Sequence, residues 1–311
     1  MEWCASMNWL DERVALLYGG LGSEAAVSRD GRAELVAAMR TRGIQPIELD
    51  VQANWVEQLI QLAPTRVFNL VHGRLGEDGV LQGVLCALNI PFTGSGLSAS
   101  ALSLDKPRTK QIWESLGLPT APMVVVTEVG QAQICIKRLG ADLFAKPAHE
   151  GSSIGAHQVS GLEELKIALS ESLRHDTRVL VEPRLPGPEY TVGIIKGLAL
   201  PVICIKPNSD FYDYTAKYQS NTTEYEIPSG LHPKFEAEVQ KMALEAFDAL
   251  GCRTWGRIDF MADGNGQMML MECNTVPGMT HHSLVPKAAR AAGMDLSMLV
   301  EQILLDAAVS P

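Results

Sequence analysis

Between Trp255 and Thr280 the chain reads WGRIDFMADGNGQMMLMECNTVPGMT, two short apolar runs on either side of Asp263-Gly264-Asn265-Gly266. An Asn-Gly step between apolar runs is a strong hairpin signal, because both residues tolerate the backbone of a tight turn. The feature commits this segment to an antiparallel pair whose side chains alternate between two faces. A turn closed on Gly264 and Asn265 sets Arg257 opposite Glu272. Asp259 and Glu272 are then diagonal neighbours, roughly 7–8 Å apart or less at Cβ. Arg257, Asp259, Glu272 and Asn274 share one face in this register. A three-residue loop without a compensating bulge would send Glu272 to the other face. One acid on such a face reads as solvated surface. Two acids, an arginine and an amide crowded at one end read as an oxygen-lined site for a hard cation, Mg²⁺ rather than zinc. Cys273 alternates away from that face and His281-His282 come later, which also disfavours zinc.

The rest of the composition limits the alternatives. A chain of 311 residues is long enough for two or three domains with a sizeable core. Hydrophobic residues make up 46% and charged residues 20%, the profile of a globular protein. A net charge of −10 disfavours a nucleic-acid partner, which would call for a basic face. It leaves room for a nucleotide, which needs only a few local cations. Cys4, Cys86, Cys135, Cys204, Cys252 and Cys273 show no CxxC spacing and read as reduced, buried small hydrophobes. The start, MEWCASMNWLDER, lacks a basic stretch and an apolar core, so no signal peptide is expected. No run approaches the ~20 apolar residues of a membrane span. The expectation is a cytoplasmic protein.

In chain order, an apolar strand at Arg13 to Tyr18 ends at Gly19-Gly20 and precedes a helix to about Arg42. Strands are expected at Ile44–Leu49 and Arg66–Val71, with a helix at Val80–Leu88. That alternation predicts a parallel sheet covered on both faces. The loop HGRLGEDG (72–79) has three glycines after a strand and can bring backbone and polar groups close to a ligand; His72 is its candidate contact. A helix at Asp105–Leu116 carries Lys106, Arg108 and Lys110. Strands at Met123–Val126 and Leu143–Lys146 flank a helix at about Gln131–Leu139. PAHEGSSIG (147–155) then offers successive N–H groups and hydroxyls, a cradle for phosphate oxygens or simply a flexible hairpin loop. A helix at Leu162–Arg174 and a strand at Arg178–Glu182 lead to Pro183-Arg184-Leu185-Pro186-Gly187-Pro188, a hinge and domain boundary. Glu189–Gly193 and Leu200–Ile205 alternate like strands. Lys206 to Gly230 is a long polar connection whose Phe211, Tyr212, Tyr214 and Tyr218 favour a lid. Phe235 to Leu250 marks the buried face of a helix.

Two hairpin acids with Lys106 and Lys146 describe a nucleoside triphosphate site, metal ions bridging phosphate oxygens while the lysines neutralise the remainder. Ser152 and Ser153 have no histidine at a motif spacing, although His149 is close, so a serine hydrolase is disfavoured.

Several stretches go further. LLYGGLGSE (16–24), HGRLGEDGVLQG (72–83), FTGSGLSASALSLDK (92–106), KPAHEGSSIG (146–155), GPEYTV (187–192), FYDYTAKY (211–218), WGRIDF (255–260) and ECNTVPGMTHHSLVP (272–286) occur in an order that resembles the D-alanine–D-alanine ligases of the ATP-grasp superfamily. The likeness runs almost end to end. It implies an α/β fold, α+β in the C-terminal parts, with three domains: a Rossmann-like N-terminal domain at 1–104, a central one at 105–186 and a catalytic one at 187–311. It implies that ATP phosphorylates the carboxylate of one D-alanine and that the amine of a second attacks the acyl phosphate. By the same resemblance Lys106, Lys146 and Lys217 would contact phosphate. Glu182, Pro183 and Leu185 would line the adenine hinge and Glu189 would meet the ribose. Asp259, Glu272 and Asn274 would bind two Mg²⁺, with Mn²⁺ as a substitute. Glu24 would take the first ammonium and join Ser152 and Tyr218 in a hydrogen-bonded set that closes the lid. His72 would sit beside the first substrate, Arg257 and the Gly278 N–H would hold the oxyanion, and Ser283 and Leu284 would meet the second carboxylate or phosphate. A homodimer is the family habit. Lys217-Tyr218 favours a dipeptide over a D-lactate product.

The chain departs from the family pattern at four places. Ala25-Ala26 replace a charged pair, so Glu24 needs support from elsewhere. Pro183-Arg184 occupy the hinge where lysine and an aromatic or aliphatic residue are common. Cys273 and Val276 replace small residues, and His281 stands where serine is frequent.

Overall fold

The computed structural model describes residues 7–22, 24–206 and 223–309. The expected lid aromatics Phe211, Tyr212 and Tyr214, together with Lys217 and Tyr218, lie outside the described residues. Among the described residues secondary structure is mixed, with three sheets.

The first sheet is parallel, in the order β2-β1-β3, with β1 at Val14–Gly19, β2 at Ile47–Val51 and β3 at Arg66–Asn69. Its centre, Val14 to Leu17, is wholly buried because helices cover it: α1 (Ala25–Thr41), α2 (Trp55–Leu62) and α3 (Val80–Ala87). The strand expected at Ile44–Leu49 begins later. Ile44 instead closes α1, its N–H donating to Met39 O at 3.1 Å after Gly43 turns with φ +77°, and Pro46 brings no N–H to a ladder. A helix that sequence periodicity did not mark, α4 (Leu97–Leu104), runs into α5 (Lys106–Ser115). Asp105 separates the two and caps α5, accepting the Arg108 N–H at 3.1 Å.

The second sheet is antiparallel, in the order β4-β7-β5-β6: Val124–Val126, Val179–Pro183, Asp142–Pro147 and His157–Ser160. Helices α6 (Ala132–Leu139) and α7 (Leu162–Ser172) share its apolar core. The third sheet is also antiparallel. It contains β8 (Glu189–Ile195), β9 (Leu198–Ala199), β10 (Ile203–Lys206), β11 (Glu224–Glu226), β12 (Trp255–Ala262) and β13 (Met268–Asn274), with the main order β11-β10-β8-β12-β13. The run expected at Leu200–Ile205 breaks at Pro201, so β10 starts at Ile203. Helix α8 (Pro233–Asp248) buries Val239, Ala243, Ala246 and Phe247 against this sheet.

The chain then returns to its beginning. Helices α9 (Leu284–Ala291) and α10 (Leu296–Leu305) share one core with α1 and β1. Buried Glu301 on α10 accepts from the Trp9 indole at 3.0 Å and pairs with Arg42. Among the described residues no helix is long and apolar enough to cross a membrane.

The hairpin corrects one expectation. Its turn is a three-residue loop, Gly264 to Gly266, with Gly266 at φ +80° and Asp263 Oδ1 accepting the N–H groups of Asn265 and Gln267 at 2.8 Å each. Ala262 therefore faces Met268 and Phe260 faces Leu270. Continued unbroken, this register would put Glu272 on the wrong face. A bulge at Met271 absorbs one residue, so Asp259 lies directly opposite Glu272, and Arg257 opposite Asn274. The two acids are cross-strand partners, not the diagonal neighbours expected, and all four polar residues still share a face.

Candidate active site

The second and third sheets enclose a cleft, with the Pro183–Pro188 hinge crossing one end. Each polar wall residue arrives from a different element. Lys146 stands on β5, Glu182 on β7, Glu189 at the start of β8, Asp259 on β12, Glu272 on β13 and Lys106 on the first turn of α5. Pro183, Arg184 and Leu185 also line the cleft. Phe144, Ile205, Met261 and Met271, which sequence reading did not single out, line it as well. Met271 reaches the cleft beside Glu272 because the bulge sets two successive residues toward it. The lining thus combines apolar side chains with charged ones, the combination that a flat heterocycle bearing phosphates requires.

The loop 147–156 also lines the cleft. Ala148 is fixed from both sides: its O accepts from Lys106 N at 3.2 Å and its N–H donates to Arg178 O at 3.0 Å. The His149 backbone N–H and ring Nδ1 both meet Asp176 Oδ2 at 2.8 Å. Lys106 Nζ donates to Glu150 O at 2.5 Å, and the Glu150 carboxylate pairs with Arg74 at 3.4 Å. Beyond this anchor Ser152 and Ser153 take φ of +50° and +60°, a left-handed turn that folds the loop tip back. Ser152 Oγ donates to Glu24, the residue that precedes α1. The carboxylate of Glu24 sits between two glycines. A Cβ on Gly73 would come within 2.5 Å of Oε2, and one on Gly151 within 2.6 Å. Support for Glu24 therefore comes from Ser152 and this double glycine notch, not from Ala25-Ala26.

At the hairpin, Arg257 grips Asp259 with two hydrogen bonds, Nε to Oδ1 at 2.8 Å and Nη2 to Oδ2 at 2.7 Å. Thr191 Oγ1 donates to Oδ1 at 2.6 Å and Asn274 Nδ2 to Oδ2 at 3.0 Å. Asp259 is buried, yet four donors converge on it. Among the described residues no three His, Cys, Asp or Glu side chains converge as a metal cage. Two carboxylates and an amide fit a cation that keeps water or phosphate oxygens in its shell, the usual habit of Mg²⁺.

His72 lies near Glu24. Its Nδ1–H donates to Val276 O at 2.8 Å, since a carbonyl can only accept, which leaves Nε2 as an acceptor. Burial lowers its pKa, with the Arg257 charge acting in the same direction and the Glu24 charge and the Val276 hydrogen bond opposing it. Glu77 stands 3.9 Å away. Its pKa is pushed up to about 8 by burial and by the charges of Glu24 and Glu272, despite the N–H it accepts from Gly73 at 3.0 Å. A carboxylic acid held neutral against two carboxylates was not legible in the sequence. The only hint was its place in the glycine-rich loop 72–79.

Gly278, Ser283 and Leu284 form their own group on the turn into α9, away from the cleft walls. A Cβ on Gly278 would lie 2.8 Å from Ser283 Oγ, and that hydroxyl accepts the Thr280 N–H at 3.0 Å. His281 turns outward: its N–H and Nδ1 meet Glu34 on α1 at 2.7 and 2.8 Å. The same turn carries Val276 O, so His72 is tied to it as well.

This architecture has known counterparts. The family profile described as D-ala D-ala ligase C-terminus matches residues 112–305. The D-alanine–D-alanine ligase of Saccharophagus degradans is 49% identical over 292 residues, covering 94% of this chain and 93% of that protein. The D-alanine–D-alanine ligase of Glaesserella parasuis is 45% identical over 301 residues, covering 96% and 99%. Among solved structures, that of D-alanine–D-alanine ligase from Bacillus anthracis superposes with a TM-score of 0.83 at 32% identity, covering 94% of this chain and 96% of that one. The same enzyme complexed with ATP gives 0.80 at 29% identity over the same shares.

Proposed function

The chain belongs to the D-alanine–D-alanine ligase family, and on that premise we propose that it joins two D-alanines at the expense of ATP, for peptidoglycan precursor synthesis. One observation carries the reading. A single cleft holds two lysines, Lys106 and Lys146, and the hairpin acids Asp259 and Glu272, and its loop reaches Glu24 through Ser152. Nucleotide and amino acid are thereby brought to one place.

ATP fits with adenine in the slot between Phe144, Ile205, Met261 and Met271, against main-chain groups of Glu182, Pro183 and Leu185. Proline loses an N–H but keeps its carbonyl, so the hinge can still accept from an adenine amino group. Glu189 meets the ribose. Lys106, Lys146 and, from outside the described residues, Lys217 neutralise phosphate oxygens. Asp259, Glu272 and Asn274 would hold two Mg²⁺, with Mn²⁺ as a substitute, and these ions would draw charge from the phosphates.

Glu24 takes the ammonium of the first D-alanine, with His72 beside it. The D-alanine carboxylate oxygen attacks the γ-phosphorus and ADP departs, leaving D-alanyl phosphate. Ser283 and Leu284 seat the carboxylate of the second D-alanine, whose amine attacks the acyl carbon. Arg257 and the Gly278 N–H take up the charge that develops on the carbonyl oxygen. Phosphate leaves with the former carboxylate oxygen. Ser152 links Glu24 to the loop, and Tyr218 is assigned to the same hydrogen-bonded set. The reading divides the chain into domains at 1–104, 105–186 and 187–311. A homodimer working in the cytoplasm, where ATP is supplied, completes the reading.

A second reading has a specific basis: the D-Ala:D-Ser ligase of Enterococcus faecalis superposes with a TM-score of 0.81 at 25% identity. A depsipeptide product with D-lactate is a further alternative. ADP release with Mg-ATP separates them. D-alanine alone is expected to support release, with no added gain from D-serine or D-lactate. Release that requires either co-substrate, or no release above background, contradicts the proposal.

A further inference from the structure

Among the described residues Lys110 is the most deeply buried charged side chain outside the set assigned so far, with no exposed surface at all. It follows Lys106 by one turn of α5, so both lysines lie on the same face of the helix. Lys106 lines the cleft, and Lys110 lies beneath the cleft wall, its Nζ against Glu182 Oε1. The other oxygen of that carboxylate pairs with Lys146 Nζ at 2.9 Å. One buried carboxylate is therefore shared by two ammonium groups. Burial and the Lys146 charge both lower the Lys110 pKa, and Glu182 on β7 is the carboxylate placed against it.

The arithmetic of charge gives this arrangement a purpose. Glu182 and Lys146 alone would be neutral, and the carboxylate would hold Lys146 back from any anion in the cleft. A second ammonium behind Glu182 returns a net positive charge to the cluster and weakens that hold. The Glu182 side chain is committed to lysines, which leaves its main chain for the proposed hinge role.

We propose that Lys110 is a positioning residue for ATP: by neutralising Glu182 from behind, it frees the Lys146 ammonium to engage phosphate. The inference rests on the reading of the cleft as the ATP site. ADP release by the unaltered protein tests that reading on its own, so failure there and failure here are distinguishable.

The experiment compares Lys110→Met, Lys110→Arg and Lys110→Met/Glu182→Gln by steady-state kinetics, with melting curves on each. Lys110→Met should raise KM for ATP about ten- to a hundredfold, as expected for one unit charge several Å from a phosphate at an effective dielectric of about 20. KM for D-alanine should stay within about threefold, a split that a general loosening of the fold would not produce. Lys110→Arg keeps the charge and should restore most of the ATP affinity. The double variant removes a charge of each sign, leaves Lys146 unopposed, and should bring KM for ATP back towards that of the unaltered protein. It also remains measurable if the uncompensated Glu182 prevents Lys110→Met from folding. The proposal is overturned if folded Lys110→Met keeps its ATP KM within twofold. It is equally overturned if the double variant binds ATP no better than Lys110→Met, or, where that variant does not fold, shows a KM raised tenfold.

Discussion

Asp259→Asn is expected to lower turnover by about 10²- to 10³-fold, the scale of removing one electrostatic element from a transition state in which charge is redistributed. The substitution keeps the shape of the side chain. It removes the negative charge that faces Arg257 at 2.8 and 2.7 Å and that lies opposite Glu272 on the hairpin. Asparagine has one acceptor oxygen where four donors now converge, so an amide hydrogen must point at Arg257 or Asn274. Losing one such bond at a buried site costs about 1–3 kcal/mol, which lowers the melting temperature without unfolding the protein. The check is kcat for ADP release at saturating ATP and D-alanine, alongside a circular dichroism melt. Near-normal turnover in a folded variant would remove Asp259 from the metal set.

Arg257→Lys is expected to have a comparable effect on kcat with a different signature. Lysine keeps the charge but loses the planar fork that makes two parallel bonds to Asp259. With that brace gone, the cation is no longer fixed where the proposed mechanism puts the charge that develops on the acyl oxygen. Turnover should fall by about 10²-fold while KM for ATP changes little, because an interaction made chiefly in the transition state lowers kcat and not substrate binding. A rise in KM for ATP at unchanged kcat would instead assign Arg257 to the phosphates.

The contrast between these residues and Lys110 shows where sequence reading works. Short-range signals carried most elements. The Asn-Gly turn located the hairpin, Gly43 stopped α1, and the apolar period from Phe235 to Leu250 marked α8. The errors lie where a local rule had a competitor. Met268-Met269-Leu270-Met271 is apolar at every position, so no alternation betrays the bulge that corrects the register. Pro46 and Pro201 displaced two strands by shortening the stretch that can donate to a ladder. At the site, the polar residues of the cleft came from recognisable stretches. Glu77 and Lys110 did not stand out, because what distinguishes each is burial against a partner remote in the fold: Lys110 against Glu182, and Glu77 near Glu24 and Glu272. Phe144, Ile205, Met261 and Met271 are ordinary apolar residues until two sheets face each other across a cleft.

In the proposed mechanism the hairpin joins two tasks: Asp259, Glu272 and Asn274 are assigned to phosphoryl transfer, and Arg257, gripping Asp259 from the same strand, to the step that forms the peptide bond. That coupling predicts a chemical trace. D-alanine labelled with ¹⁸O in its carboxylate should pass one labelled oxygen to inorganic phosphate for each dipeptide formed, measured by mass spectrometry of the phosphate. Phosphate free of label, with dipeptide produced, would contradict the acyl phosphate and with it the central claim.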